Sequence, residues 1–229
     1  MSVTTKQERS AFAVSTTELG LISGTSTLGA DTTAGGYQLV LDSTAMAKSD
    51  EYQIRAYEKV HSAGTQRKFF QTSLSDTQSR LFYTPVFWLL NGWEFTLQRT
   101  GGANCNFDAS VRKAGSVSTY HQEQALTVST TELSLVSGTS TLQTKTDPGV
   151  YQLWLDLSAL QSGDEFRLRF YEKTLAAGSQ KKFTEIPIVG GQSEIWVFPP
   201  MELLNGFDFT IQKTAGTDRA IDSSIRKAG

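Results

Sequence analysis

Apolar and polar positions alternate at period two along most of this chain, the signature of strands with one buried face. Tyr37, Leu39 and Leu41 share one face of a segment whose other face carries Gln38, Val40 and Asp42. Tyr52, Ile54 and Ala56 oppose Gln53, Arg55 and Tyr57. Trp93, Phe95 and Leu97 alternate with Glu94, Thr96 and Gln98, and Phe107, Ala109 and Val111 with Asp108, Ser110 and Arg112. Turn-forming clusters separate these runs: Ser23-Gly24-Thr25, Ala34-Gly35-Gly36, Ala63-Gly64-Thr65, Asn91-Gly92 and Thr100-Gly101-Gly102. The pattern predicts strands over about 11–14, 18–23, 36–43, 51–60, 66–74, 79–88, 92–100 and 106–113. Helix is scarce; only 43–48 and 157–162 read as a short turn. Short, regularly spaced strands with one apolar face predict two sheets packed face to face, and eight per unit suit a jelly roll or a related Greek key.

The whole pattern then repeats. Ser15-Thr16-Thr17-Glu18-Leu19 returns as Ser129-Thr130-Thr131-Glu132-Leu133, a displacement of 114 positions. Tyr57-Glu58-Lys59 returns as Tyr171-Glu172-Lys173 and Leu89-Leu90-Asn91-Gly92 as Leu203-Leu204-Asn205-Gly206, at the same displacement. The copies align without a gap and about half the aligned residues are identical. A period of 114 far exceeds the roughly 20–50 residues of a solenoid or propeller unit. It matches an ordinary domain. The chain therefore reads as all-β, with two tandem antiparallel, jelly-roll-like β-sandwich domains: an N-terminal arm over 1–12, a sandwich over 13–115, a linker over 116–126 and a second sandwich over 127–229. The lead-ins Ser2-Val3-Thr4-Thr5 and Ser116-Val117-Ser118-Thr119 resemble each other. Polar termini of this kind are usually disordered, and an arm also orders by lying on a neighbouring molecule.

Charge narrows the function classes. The first copy has 11 basic and 10 acidic residues, the second 10 and 13, so no basic field exists to hold nucleic acid. No run approaches the roughly 18 apolar residues of a membrane span. The start, Met1-Ser2-Val3-Thr4-Thr5-Lys6, lacks the apolar core of a signal peptide. Cys105 is the sole cysteine, which excludes an intrachain disulfide and fits folding in a reducing cytosol.

Residues retained in both copies act as a filter on chemistry. His61 becomes Leu175, Cys105 becomes Arg219, and His121 falls in the expected linker. No nucleophile–base pair, no His/Cys cluster at metal-ligand spacing and no glycine-rich phosphate loop recurs. Catalytic, cofactor and metal residues are accordingly expected to be absent, and the protein is expected not to be an enzyme. Acidic residues do recur: Glu18/Glu132, Asp42/Asp156, Asp50-Glu51/Asp164-Glu165, Glu58/Glu172 and Asp108/Asp222. Paired carboxylates serve glycoside hydrolysis or calcium binding in other settings. With Arg55/Arg169, Lys59/Lys173, Arg112/Arg226 and Lys113/Lys227 nearby, structural ion pairs and solvated strand faces are the expected role here.

Tyr37, Phe69 and Phe95 recur unchanged, and Tyr52, Phe82 and Trp93 recur as Phe166, Trp196 and Phe207; these are expected in the cores. Trp154 replaces Val40 on the face opposite Leu153 and Leu155, and Trp88 stands where the second copy has Glu202. An outward tryptophan in one copy points to an interface, between domains or with a partner, or to stacking on a sugar. Thr4, Thr5, Lys6, Trp88, Tyr120 and Trp154 are thus the candidate partner contacts.

The string Tyr-Glu-Lys, then Gly-Thr-Gln-Arg-Lys or Gly-Ser-Gln-Lys-Lys, then Leu-Leu-Asn-Gly-Trp/Phe, then Ser-Val/Ile-Arg-Lys at the end of each copy resembles small β-sandwich proteins of tailed bacteriophages, capsid cement or decoration proteins among them. The resemblance spans each copy almost completely, and the motifs mark strands and turns, so no site residues carry over. It implies a non-enzymatic virion structural protein without cofactor, made in the host bacterial cytoplasm. On the capsid surface it would bind the major capsid protein and neighbouring virion proteins, with self-association as a further contact and neither nucleic acid nor membrane as partner. The alternative is a carbohydrate-binding or host-attachment module of a phage tail, with Trp88, Trp154 or Trp196 as a platform. The presence of two copies leaves stoichiometry open.

Overall fold

The computed structural model describes residues 3–229; Met1 and Ser2, the first residues of the expected arm, lie outside the described residues. The chain divides into two compact units, the first ending at Ser118 and the second running over Thr119–Ala228. Among the described residues there is no helix, and 43–48 and 157–162 are turns closed by Met46 N–H to Ser43 C=O and Leu160 N–H to Leu157 C=O.

The first unit contains β1 (Val3–Ala13), β2 (Leu19–Gly20), β3 (Gly35–Asp42), β4 (Glu51–Glu58), β5 (Arg67–Ser75), β6 (Phe82–Tyr83), β7 (Phe87–Leu89), β8 (Glu94–Gly101) and β9 (Asn106–Ala114). One sheet has the order β1-β9-β3-β6, with β7 also on β3; the other has the order β2-β8-β4-β5. Strands that alternate between two four-position sheets in this order form a jelly roll. The second unit repeats it with β10 (Val117–Val128), β11 (Leu133–Ser134), β12 (Gly149–Asp156), β13 (Glu165–Glu172), β14 (Lys181–Val189), β15 (Ile195–Val197), β16 (Met201–Leu203), β17 (Asp208–Ala215) and β18 (Arg219–Ala228). Its sheets are β10-β18-β12-β15, with β16 on β12, and β11-β17-β13-β14.

The period-two faces become the cores. Tyr37, Leu39 and Leu41 of β3 and Phe107 and Val111 of β9 are buried against Tyr52, Ile54, Ala56, Phe95 and Leu97 of the opposite sheet. The Tyr52 and Phe107 rings meet edge to face at 4.7 Å across the sandwich. Burial of each such side chain contributes about 1.5–3 kcal/mol. The second core keeps its volume by exchange: the cross-strand pair Ala56/Phe70 becomes Phe170/Thr184. The strand expected over 79–88 is two short ones, because Pro85 has no N–H to continue the ladder.

Two expectations change. The N-terminal arm is strand β1, paired antiparallel with β9 from Val3↔Ala114 to Ala13↔Asn106. The linker over 116–126 is the matching strand β10, hydrogen-bonded to β18. Without these strands the backbone groups along one side of β9 and β18 would lie unpaired at the sheet edge. Each edge strand bends where Ala11 (φ 48°) and Ala125 (φ 52°) adopt left-handed conformations. Their N–H groups donate to Asp108 at 2.6 Å and Asp222 at 2.8 Å. The aromatic reading also shifts: the recurrent Phe69 is half-buried and its counterpart Phe183 is 51% exposed, and Phe82 and Trp196 are half-buried rather than fully in the core.

Candidate binding cleft

Most of the acidic residues kept between the copies hold the fold itself. Glu58 accepts the Leu90 and Asn91 N–H groups at 2.5 and 2.8 Å, and Glu172 those of Leu204 and Asn205 at 2.8 and 3.2 Å. Asp50 accepts from Ala47 N–H, Ala103 N–H and the Cys105 thiol. In the second unit Arg219 stands where Cys105 does, and its Nε donates to Asp164 at 2.7 Å. That guanidinium, with the Thr217 and Gln161 N–H groups, lowers the Asp164 carboxyl to about 2. Burial raises the Cys105 thiol above its ordinary range, the opposite of what an activated nucleophile needs. These carboxylates are structural, as the sequence implies, but mostly through main-chain N–H groups rather than ion pairs.

One acidic position lines a cleft. β2 pairs with β8 through Leu19↔Leu97 and Gly20↔Thr96, and the chain then turns sharply at Gly24, whose φ of 74° is the left-handed region glycine favours. Gly20 N–H donates to Thr25 C=O and Gly24 N–H to Gly20 C=O, closing the loop. Beneath it, Tyr57 Oη donates to Glu18 Oε1 at 3.0 Å, Thr96 Oγ1 donates to the same oxygen, and Arg55 Nη1 lies 3.1 Å from Oε2. Burial, then the hydrogen bond to Glu18, pushes the Tyr57 hydroxyl up to about 12. Glu18, Gly20, Ser26, Leu28, Tyr57 and Thr96 enclose about 310 Å³ open to solvent.

The second unit reproduces this position by position. Tyr171 donates to Glu132 at 3.0 Å, Thr210 donates to it as well, and Arg169 Nη1 lies 2.7 Å from its Oε2. Glu132, Ser134, Ser140, Leu142, Tyr171 and Thr210 enclose about 350 Å³. Two hydroxyls and a guanidinium engage the carboxylate, so the cleft presents hydrogen-bonding oxygens beside an apolar rim rather than a base poised over a substrate. Leu28 and Leu142 are 37% and 41% exposed.

The signal for this site was in the repeat. Of the fifteen positions 14–28, only Gly20 and Ile22 change in the second copy, to Ser134 and Val136. Exposed loops ordinarily diverge faster than cores, yet Ser26, Thr27 and Leu28 recur unchanged on the surface.

The candidate contacts Thr4, Thr5, Lys6 and Trp88 belong to the first unit, and Tyr120 and Trp154 to the second. Thr4 and Thr5 are exposed on β1, while Lys6 is engaged within its own unit by Asp31 at 2.8 Å and Thr33 at 2.9 Å. Trp88 is half-buried on β7 opposite Gly36, separated from β1 by β3 and β9. Tyr120, expected in a linker, sits on β10 and packs edge to face on Tyr151 at 5.0 Å. Trp154 faces away from Leu153 and Leu155 as read, but it is fully buried: the Arg226 guanidinium lies 3.8 Å above its ring and its Nε1 donates to Gln152 at 2.9 Å.

No family model matches the chain, and no curated protein matches it. Among solved structures it is similar to the PBSX exported protein XepA, at 10% identity over 100% of this chain and 86% of that one, with a TM-score of 0.34. It is also similar to the tandem CBM22-1–CBM22-2 domains of Paenibacillus barcinonensis Xyn10C, at 8% identity over 99% and 89%, with a TM-score of 0.28. Likenesses this distant carry no inference about activity or partners.

Proposed function

We propose that this chain is a non-enzymatic structural protein of a phage particle, of the capsid cement or decoration type, attached to the shell of major capsid protein through surfaces that each unit carries. One observation supports the reading most: the most strongly retained stretch of the repeat ends in the exposed loop 23–28 and its counterpart 137–142, above matching clefts. Duplication has preserved a surface, while most of the other retained carboxylates are engaged in holding loops. Two linked copies of a weak attachment surface bind far more tightly than one, provided both reach their targets. The balanced charge argues against a nucleic-acid partner. The test is the protein content of gradient-purified virions: the chain is expected at high copy number, and its absence would refute the proposal.

A carbohydrate-binding role is the second reading, favoured by the hydroxyl and carboxylate oxygens beside Leu28 and Leu142 rather than by Trp154, which is buried. Binding on a glycan array, lost when Tyr57 and Tyr171 are both replaced by Ala, would support it; no binding at high protein concentration would remove it.

A further inference from the structure

Among the positions at which the units differ on the outer face of the sheet that holds β3 or β12, one exchanges Val40 for Trp154. In the second unit Trp154 lies there, with the Arg226 guanidinium stacked on its ring and its indole N–H on Gln152 Oε1. Gln152 is itself oriented by donating Nε2 to the Phe198 carbonyl at 3.0 Å. The first unit has the same framework without the indole. Gln38 donates Nε2 to the equivalent Thr84 carbonyl at 2.8 Å, and Arg112 is its cross-strand partner, as Arg226 is of Gln152. Val40 stands in place of the tryptophan. Arg112 is exposed, and among the described residues no side-chain hydrogen bond or ion pair holds it. Beside it lies a shallow recess, open to solvent, lined by Arg112, Ser110, Asp108, Glu8, the buried Val40 and, at its outer end, the exposed Leu81.

We propose that this recess is a docking site for an aromatic side chain bearing a ring N–H, an indole, presented by a partner protein. Its face would lie on the Arg112 guanidinium and its N–H would reach Gln38 Oε1, the arrangement the second unit makes with its own Trp154. A guanidinium is suited to this role because it is planar, permanently charged and weakly hydrated, and so stacks on aromatic faces. The lining sets three carboxylates, of Glu8, Asp42 and Asp108, against Arg9 and Arg112, a balance that favours a neutral ligand bringing a hydrogen-bond donor over an anion. The site belongs to one unit only and stands apart from the virion reading: either can fail without the other.

The test is titration of the isotope-labelled full chain with N-acetyl-tryptophanamide, followed by two-dimensional NMR, with N-acetyl-leucinamide as the control. The expected result is a set of indole-dependent shifts at the Gln38 side-chain amide, Arg112 Nε–H and Val40, absent with the leucine compound. Arg112→Ala should weaken binding by about 2- to 30-fold, the span of a stacked cation on an aromatic ring. Val40→Trp, which writes the second unit's residue into the first, should abolish it by filling the recess. Absence of indole-dependent shifts at millimolar concentration, shifts located elsewhere, or binding untouched by Arg112→Ala would each overturn the proposal. Arg112 is exposed, so that variant decides the matter even if Val40→Trp does not fold.

Discussion

Gly20 leaves room for Glu94: a Cβ there would lie 2.9 Å from Glu94 Oε2, which itself accepts the Ser23 N–H at 3.0 Å, and closer still to the Ser23 hydroxyl, the end of a side chain that can rotate away. The second unit solves the same problem with a different pair. Ser134 fills the space, its hydroxyl donates to the shorter Asp208 at 2.8 Å, and the same hydroxyl accepts the Val136 N–H. Glu94 instead reaches the equivalent Ile22 N–H directly, at 2.7 Å. Gly20→Ser alone should therefore cost about 1–3 kcal/mol through overpacking. Adding Glu94→Asp should recover most of that loss, a coupling of about 1–2 kcal/mol in a double-mutant cycle read by denaturant unfolding. Strict additivity would mean that the two positions are not coupled.

Asp208 sets a pH dependence in the second unit. Burial raises its carboxyl to about 6 from 3.8, against the Gln143 and Phe209 N–H groups and the Ser134 hydroxyl, which pull it down. The folded state thus holds this proton more tightly than the unfolded chain. Its contribution to stability is fullest below 3.8 and is lost as pH rises through about 6. A shift of this size amounts to about 3 kcal/mol. Asp208→Asn should flatten the unfolding free energy across that window; an unchanged slope would contradict the assignment.

Asp164 acts in the opposite sense. Arg219 holds its carboxyl at about 2, so the stabilisation is present above 3.8 and disappears as pH falls toward 2. Arg219→Cys, which copies the first unit, should move acid unfolding of the second unit to higher pH, as followed by circular dichroism. A midpoint left in place would show that the pair does not govern acid stability.

Ala11 and Ala125 pay a conformational cost that glycine avoids. Their φ values of 48° and 52° lie in the left-handed region, unfavourable by about 1 kcal/mol for a residue with a Cβ. Each N–H is anchored to a carboxylate, so the bend is kept whichever residue occupies it. Ala11→Gly and Ala125→Gly should stabilise their units by roughly 0.5 kcal/mol, net of the added freedom of the unfolded chain. Thermal unfolding distinguishes this from the destabilisation that glycine causes in an ordinary strand.

The N-terminal segment supplies a proteolytic test. Lys6 is tied to Asp31 and Arg9 donates to the Leu21 carbonyl at 2.6 Å, on a strand whose Phe12 ring lies 6.1 Å from that of Phe107. Trypsin should leave both sites uncut in the native protein, and deleting residues 3–13 should lower the melting temperature of the first unit. Rapid cleavage at Lys6 or Arg9 would restore the arm.

The strands with one apolar face were legible because alternation registers burial directly, as at Tyr52, Ile54 and Ala56. β1 and β10 were not, because an edge strand with polar side chains on both faces has almost no alternation; only Phe12 and Val14, or Leu126 and Val128, hinted at packing. Recurrence likewise could not separate core from surface at Phe69 and Phe183. The cleft was hidden for a different reason. Glu18, Tyr57 and Thr96 lie 39 and 78 positions apart, and only the pairing of β2 with β8 and of β8 with β4 brings them together. Charge at single positions, read alone, pointed to ion pairs where the fold uses main-chain N–H groups.

The most direct test of the account is the copy number of this chain in gradient-purified particles, measured by quantitative mass spectrometry for the wild type and for a variant carrying Ser26→Arg and Ser140→Arg. Both serines are exposed at the cleft mouths, so the variant is expected to fold. The account predicts many copies per particle for the wild type and a loss of at least most of them for the variant. A chain absent from particles, or a folded variant incorporated as fully as the wild type, would contradict it.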